Sequence, residues 1–255
     1  AYWTTRTPTK ALEPWELAGT YAEPRLRHLS FAVLAPNPHN QQPWIVDLAE
    51  PNKAMLYADL NRLLPETDPY SRQITIGLGC FLEMLRMAAA QENMGLNVTL
   101  FPEGSDPTAL DARPVAASEW RGDASPDPLF AHVMIRRSIK EPYDSSHPVS
   151  AAVLAELTAI SDTAGGTVDP EDIADLRILT DDALRIELTT PHTFQESVDL
   201  FRITKKEINA NPDGIDLGGP MLETAARLGF FSREAAADPD SFAFTEGLRL
   251  GSANA

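Results

Sequence analysis

The stretch Ala35-Pro36-Asn37-Pro38-His39-Asn40-Gln41-Gln42-Pro43-Trp44 decides how the rest of this 255-residue sequence is read. Prolines at 36, 38 and 43 fix φ and remove backbone donors, so neither a helix interior nor a central strand runs through it. Between them stand Asn37, His39, Asn40, Gln41 and Gln42, a dense set of uncharged donors and acceptors. A stiff loop of carboxamides can hold a planar heterocycle, because each amide both gives and takes hydrogen bonds. Spacing alone favours a plain surface turn bonded to its own backbone. The flanks shift that balance, since a helix-like apolar run enters the loop and a strand-like run leaves it.

Upstream, residues 1–22 are rich in Thr and Pro and read as an extended arm. Pro24 opens a helix pattern carried by Leu26, Leu29, Val33 and Leu34. Downstream, Trp44, Val46 and Leu48 alternate with Ile45 and Asp47 as a short strand, and Met55-Leu56-Tyr57-Ala58 reads as a second. Asp68-Pro69 predicts a helix entry, with a capping carboxylate and a proline in the first turn. Ile74, Leu78, Leu82, Leu85 and Ala89 then form one apolar stripe. Gly77 and Gly79 lie inside that helix, although glycine costs ~1 kcal/mol against alanine there. They suggest close approach by another backbone or a flat ligand, or else plain helix packing. Asn97 to Phe101 reads as a strand.

Residues 102–128 read as loop and supply the organisational boundary. Pro128 opens a helix pattern (Leu129, Phe130, Val133, Met134) that runs into Arg136-Arg137-Ser138-Ile139-Lys140 and stops at Pro142. Helix-like runs follow near 150–163, 194–209 and 219–230, with a possible strand at Leu176 to Leu179. A last helix pattern begins at Phe242 and stops at Gly251, so the fold is expected to continue past the final residue. The expected organisation is an arm at 1–22, one half at 23–127 and a second, incomplete half at 128–255.

Net charge is −16. That argues against nucleic acid, whose binding rests on neutralised phosphates, and against anionic membrane surfaces. No apolar run is expected to reach the length of a membrane span. Cys80 is the sole cysteine, which excludes an intrachain disulfide. The start at Ala1 leaves an exported, processed product and a cytoplasmic protein both open.

Arg136, Arg137 and Lys140 form the tight basic cluster of this acidic chain, with Ser138 adding a hydroxyl. Guanidinium forks and an ammonium can hold a terminal phosphate. A helix C-terminus also favours such cations, at even odds. Other signatures fail. Gly77-Leu78-Gly79 lacks the third glycine of a dinucleotide fingerprint, because Leu82 stands there. Asn209 to Pro220 lacks the terminal glutamate of a calcium loop, and Asp213-Gly214 reads as a turn. The histidines show no metal spacing, and no residue stands out as catalytic.

Together, the Pro36–Trp44 loop and the Arg136-x-Ser138-x-Lys140 segment resemble the flavin-dependent nitroreductase family. Their order in the chain resembles its Acg-type branch, in which two nitroreductase-like halves are fused. The resemblance implies an α/β (α+β) fold with a small, mainly antiparallel sheet flanked by helices, in two related halves. It implies flavin mononucleotide (FMN) held by Asn37, Pro38, Asn40 and Gln42 from one half and Arg136, Arg137, Ser138 and Lys140 from the other, with Arg72 adding charge. The implied activity passes hydride from NAD(P)H through flavin to a nitroaromatic or quinone-type acceptor. The implied partners are these small molecules, with self-association or a pseudo-dimer within one chain. A flavin-sequestering protein without turnover and a fold that has lost its ligand are the rival readings.

Overall fold

The computed structural model of the protein describes residues 8–138, 144, 146–241, 244 and 245. It divides into two compact units, one formed by residues 1–138 and 196–233 and the other by 139–195 and 234–255.

In the first unit, α1 (Glu13–Leu17) follows a 3-10 turn at Lys10–Leu12, where an extended arm was expected. That turn is tied down because Asn209 Oδ1 accepts from the backbone N–H of Lys10 and Ala11. The expected helix at Pro24 is α2 (Pro24–Ala32), with proline in its first turn and the Glu23 carboxylate accepting from Leu26 N. Strands β1 (Trp44–Asp47) and β2 (Lys53–Ala58) follow, both at expected places.

Helix α3 (Arg72–Gln91) begins later than Asp68-Pro69 suggested. Ser71 takes a left-handed φ of 52° just before it, so the chain turns once more before the helix starts. Asp68 still caps it from a distance: Oδ1 accepts from Arg72 N at 2.8 Å and Oδ2 from Ile74 N at 3.0 Å. All five stripe residues are buried. By length and composition α3 also passes for a membrane span, correcting the expectation that no run reaches that length. Here it is the core helix, packed against the sheet.

Strand β3 (Met94–Leu100) was expected, whereas β4 (Ala116–Asp123) falls inside the stretch read as loop. The sheet order is β1-β2-β4-β3, antiparallel at every pairing, so β4 lies between β2 and β3. Ala116, Ser118 and Trp120 face the core and Ala117, Glu119 and Arg121 alternate with them. The alternation is real, but small side chains next to Pro114 and Gly122 hide it. Each large core side chain so buried contributes about 1.5–3 kcal/mol.

Pro128 opens only a 3-10 turn, Pro128–His132, capped by Asp127, and the chain leaves helical form by Arg136. The basic cluster therefore does not sit at the end of a long helix as expected. The run at 194–209 is also broken, because β5 (Phe201–Ile203) interrupts it and pairs in parallel with β6 (Ile215–Leu217). Between them lies α7 (Thr204–Ala210), and α8 (Pro220–Arg227) follows β6.

The second unit contains α4 (Ala151–Thr158) and α5 (Pro170–Thr189), and neither helix buries a residue. The strand expected at Leu176 to Leu179 is part of α5. Asp169 caps that helix through Glu171 N and Asp172 N, and Pro170 occupies its first turn. A four-residue run with three apolar side chains gives no means of telling a strand from a helix segment by itself. Helix α6 (Pro191–Asp199) carries the chain from the second unit to the first, and α9 (Arg233–Ala237) carries it back.

Candidate functional site

The amide loop leaves α2 at Val33 and enters β1 at Trp44. Its backbone is unusual. His39, Asn40 and Gln42 take left-handed φ values of 47°, 51° and 52°, a region that non-glycine residues rarely enter and asparagine tolerates best. Asn37 closes the loop on itself, its Oδ1 accepting from Gln42 N at 2.7 Å and its Nδ2 donating to the Ala35 carbonyl at 3.2 Å.

Beneath the loop lies α3, with Gly77 against it. A Cβ at Gly77 would meet Asn37 Cβ at 3.1 Å, Asn37 Cα at 3.3 Å and Pro38 Cδ at 3.4 Å. The close approach anticipated for this glycine is thus to the amide loop, at Asn37 and Pro38. Gly79 is different, since a Cβ there would have no neighbour within 4 Å.

The loop is held from outside by a turn far away in sequence. Gly214 N donates to the Asn40 carbonyl at 3.2 Å, and Gln42 Nε2 donates to the Pro212 carbonyl at 2.7 Å. Arg62 Nη1 donates both to the Gln41 carbonyl and to Asp213 Oδ2, each at 2.9 Å. Arg202 Nη2 donates to Asp213 Oδ1 at 2.8 Å. Burial raises the Asp213 pKa, but hydrogen bonds from Arg202 and Arg62 outweigh it and leave the carboxyl below its usual range. Arg62, Arg202 and Asp213 were not foreseen as site residues. Asp213-Gly214 was legible as a turn, but no sequence signal says which loop that turn meets.

Several polar atoms of the loop remain unengaged among the described residues. Gln41 is buried and its Nε2 has no hydrogen-bond partner. Asn40 Nδ2 and Gln42 Oε1 likewise make no hydrogen bond; Asn40 Oδ1 instead accepts from Gln42 Nε2 at 3.3 Å.

The basic segment meets this loop at one point. Arg136 Nη2 donates at 2.8 Å to the carbonyl of Leu34, the residue just before the quoted stretch. Its Nε is buried and has no hydrogen-bond partner among the described residues. Burial and then the neighbouring Arg137 push this guanidinium below its ordinary pKa, partly offset by Cys80, and it stays cationic at any working pH. Arg137 turns elsewhere, its guanidinium 5.0 Å from the Trp15 ring centre. Ser138 is exposed. Lys140 lies outside the described residues.

Arg72 belongs to a different place. It lines an open cleft of about 350 Å³ with Tyr70, Thr75, Ile76, Phe101 and Leu110. Asn37, Pro38, Asn40 and Gln42 thus share one loop, Arg136 meets the chain just before it at Leu34, and Arg72 lies in the cleft at the start of α3.

No family model matches the sequence. The chain is 27% identical over 180 residues to "Putative NAD(P)H nitroreductase acg" of Mycobacterium tuberculosis H37Rv, covering 68% of this chain and 49% of that protein. The same figures hold for the protein of that name in strain CDC 1551. A shorter match, 34% identical over 82 residues, is to "Uncharacterized protein Rv3127" of strain H37Rv and covers 31% of this chain and 24% of that protein. The chain thus spans about half the length of the nitroreductase-named relatives it matches, and its similarity to them is distant.

Proposed function

We propose that the chain is a nitroreductase-like oxidoreductase that holds FMN against the amide loop. It would serve hydride transfer from NAD(P)H to a nitroaromatic or quinone-type acceptor. One observation carries the reading: the half-buried Arg136 reaches the amide loop's entrance at Leu34, so a cation from a sequence-distant segment stands at the mouth of that loop.

When bound, the flavin supplies the redox chemistry, and the protein supplies binding, orientation and electrostatics. The residues fit such a group. A flavin's pyrimidine edge alternates carbonyl acceptors with an N–H donor, and the loop retains one of each kind in Asn40 Nδ2 and Gln42 Oε1. The prolines and the Asn37 bonds pre-organise that pair, which lowers the ordering cost of binding. Arg136 keeps its Nε for an anionic ligand atom, and a guanidinium is suited to phosphate oxygens. Ser138 and Lys140 extend that basic segment. No group of the chain is required as acid or base. Two related halves acting as a pseudo-dimer belong to the same proposal.

A second reading, flavin held without turnover, draws support from the 212–214 turn, which is bonded to the same loop. The two readings separate in one experiment. The purified full chain is titrated with FMN, following flavin fluorescence, and saturable binding is expected. Arg136→Ala should weaken it about tenfold or more, the scale of one charge-assisted hydrogen bond. Absence of saturable binding by the wild type overturns both readings. Bleaching of the visible absorption band of the bound flavin on adding NADH or NADPH supports turnover, and an unchanged band supports holding alone.

A further inference from the structure

The turn at 212–214 and the loop at 40–42 are separated by about 170 residues in sequence yet joined at consecutive positions. Asn40 is held through its carbonyl by Gly214, Gln41 through its carbonyl by Arg62, and Gln42 through its carboxamide by Pro212. Asp213 unites these contacts, because both its oxygens are taken, one by Arg62 and the other by Arg202. We infer that Asp213 is a positioning residue: its carboxylate fixes the amide loop, through Arg62, in the shape that reads the flavin edge. The inference rests on the proposed FMN site.

Three features support it. Left-handed backbone such as that at Gln42 persists where surrounding bonds over-determine it; Asn37 supplies one from within the loop, and the turn adds those to the Asn40 carbonyl and the Gln42 side chain. The turn is itself immobilised, since Ile215 N donates to the Leu200 carbonyl at 2.8 Å and β6 pairs with β5. Gly214 has φ +77°, and a Cβ there would lie 2.4 Å from the Leu200 carbonyl oxygen, so only glycine lets the turn pack this closely on β5's approach. The small parallel pair β5–β6 thus acts as the anchor for a latch. Arg202 then has a defined task. It takes the Asp213 oxygen that Arg62 does not, and Asp59 Oδ2 lies 3.4 Å from Arg62 Nε, so two guanidiniums are matched by two carboxylates.

The test compares wild type, Asp213→Asn and Asp213→Glu as full chains. Hydrogen exchange at the amides of residues 40–42 is measured without ligand, and FMN affinity is measured by titration. Asp213→Asn should speed exchange there and raise the FMN dissociation constant, each by roughly tenfold, as groups one step behind a site do when removed. Asp213→Glu, which keeps the charge, should recover part of both. Unchanged exchange at residues 40–42 overturns the inference whether or not FMN binds. Faster exchange with unchanged FMN affinity overturns the positioning role. If wild type takes up no FMN, the flavin reading fails separately, and faster exchange in Asp213→Asn still supports the hold on the loop. Should Asp213→Asn lose native circular dichroism, Arg62→Gln takes its place, cutting the link to Gln41 while Arg202 still pairs with Asp213.

Discussion

Trp120 donates its indole N–H to Nδ1 of His28 at 3.0 Å, deep between α2 and β4. That bond fixes the tautomer: Nδ1 must stay unprotonated and Nε2 carries the proton, 3.4 Å from Glu92 Oε2 but without a hydrogen bond to it. Arg27 holds the same carboxylate with two short bonds of 2.6 and 2.8 Å. Burial pushes the imidazole below its ordinary pKa, against the pull of Glu92. The unfolded chain therefore takes up a proton first, near pH 6.5. This part of the stability is complete above that value and is lost as pH falls from about 6.5 toward the folded-state pKa. Urea unfolding at pH 7.5 and 5.5 should show the decline. His28→Ala should flatten it and cost about 1–3 kcal/mol by stranding the indole donor.

Among the elements, α3 offers the sharpest contrast. Its two interior glycines look equivalent in sequence but meet different surroundings. Gly79→Ala should raise stability by up to ~1 kcal/mol, because it gains helix propensity and touches nothing. Gly77→Ala gains the same propensity but presses on Asn37 and Pro38. It should stabilise less or destabilise, and it alone should alter exchange in the amide loop. Thermal denaturation with loop exchange separates the two. The α3 stripe, α2 and the strands β1 to β3 were legible because their apolar residues are large and keep one period. Strand β4 was not, since Ala116 and Ser118 carry too little apolar weight to reveal alternation next to Pro114. Leu176 to Leu179 misled in the opposite way, as four apolar or cationic residues inside a long helix flanked by acids. The site divides similarly. The amide loop and Arg136 stand out as a stiff polar segment and a basic cluster. Arg62, Arg202 and Asp213 have no local signature, because their role arises only when distant segments meet.

At the scale of the molecule, the two units differ in how they are built. The first contains the buried stripe of α3 and the four-stranded sheet. In the second, α4 and α5 bury no residue, and Leu179 and Ile186 are more than 60% exposed. Few buried apolar contacts mean low local stability. Amides of residues 151–189 should therefore exchange well before those of α3, and hydrogen exchange with mass spectrometry reads this directly. Matching protection in α3 and α5 would refute it. The charge of −16 adds self-repulsion that salt screens, so both units should gain from moderate ionic strength.

The bond from Gln42 to Pro212 also sets an order of events during synthesis. By the time residue 138 has left the ribosome, every strand of the four-stranded sheet is already available, and so is its core helix. The bend at residues 40–42 must wait for more than 70 further residues before its fastening is made. A nascent chain would thus acquire its hydrophobic centre early and the contour of its amide loop late, so a translational pause in between leaves a packed scaffold whose loop at residues 40–42 is still unset.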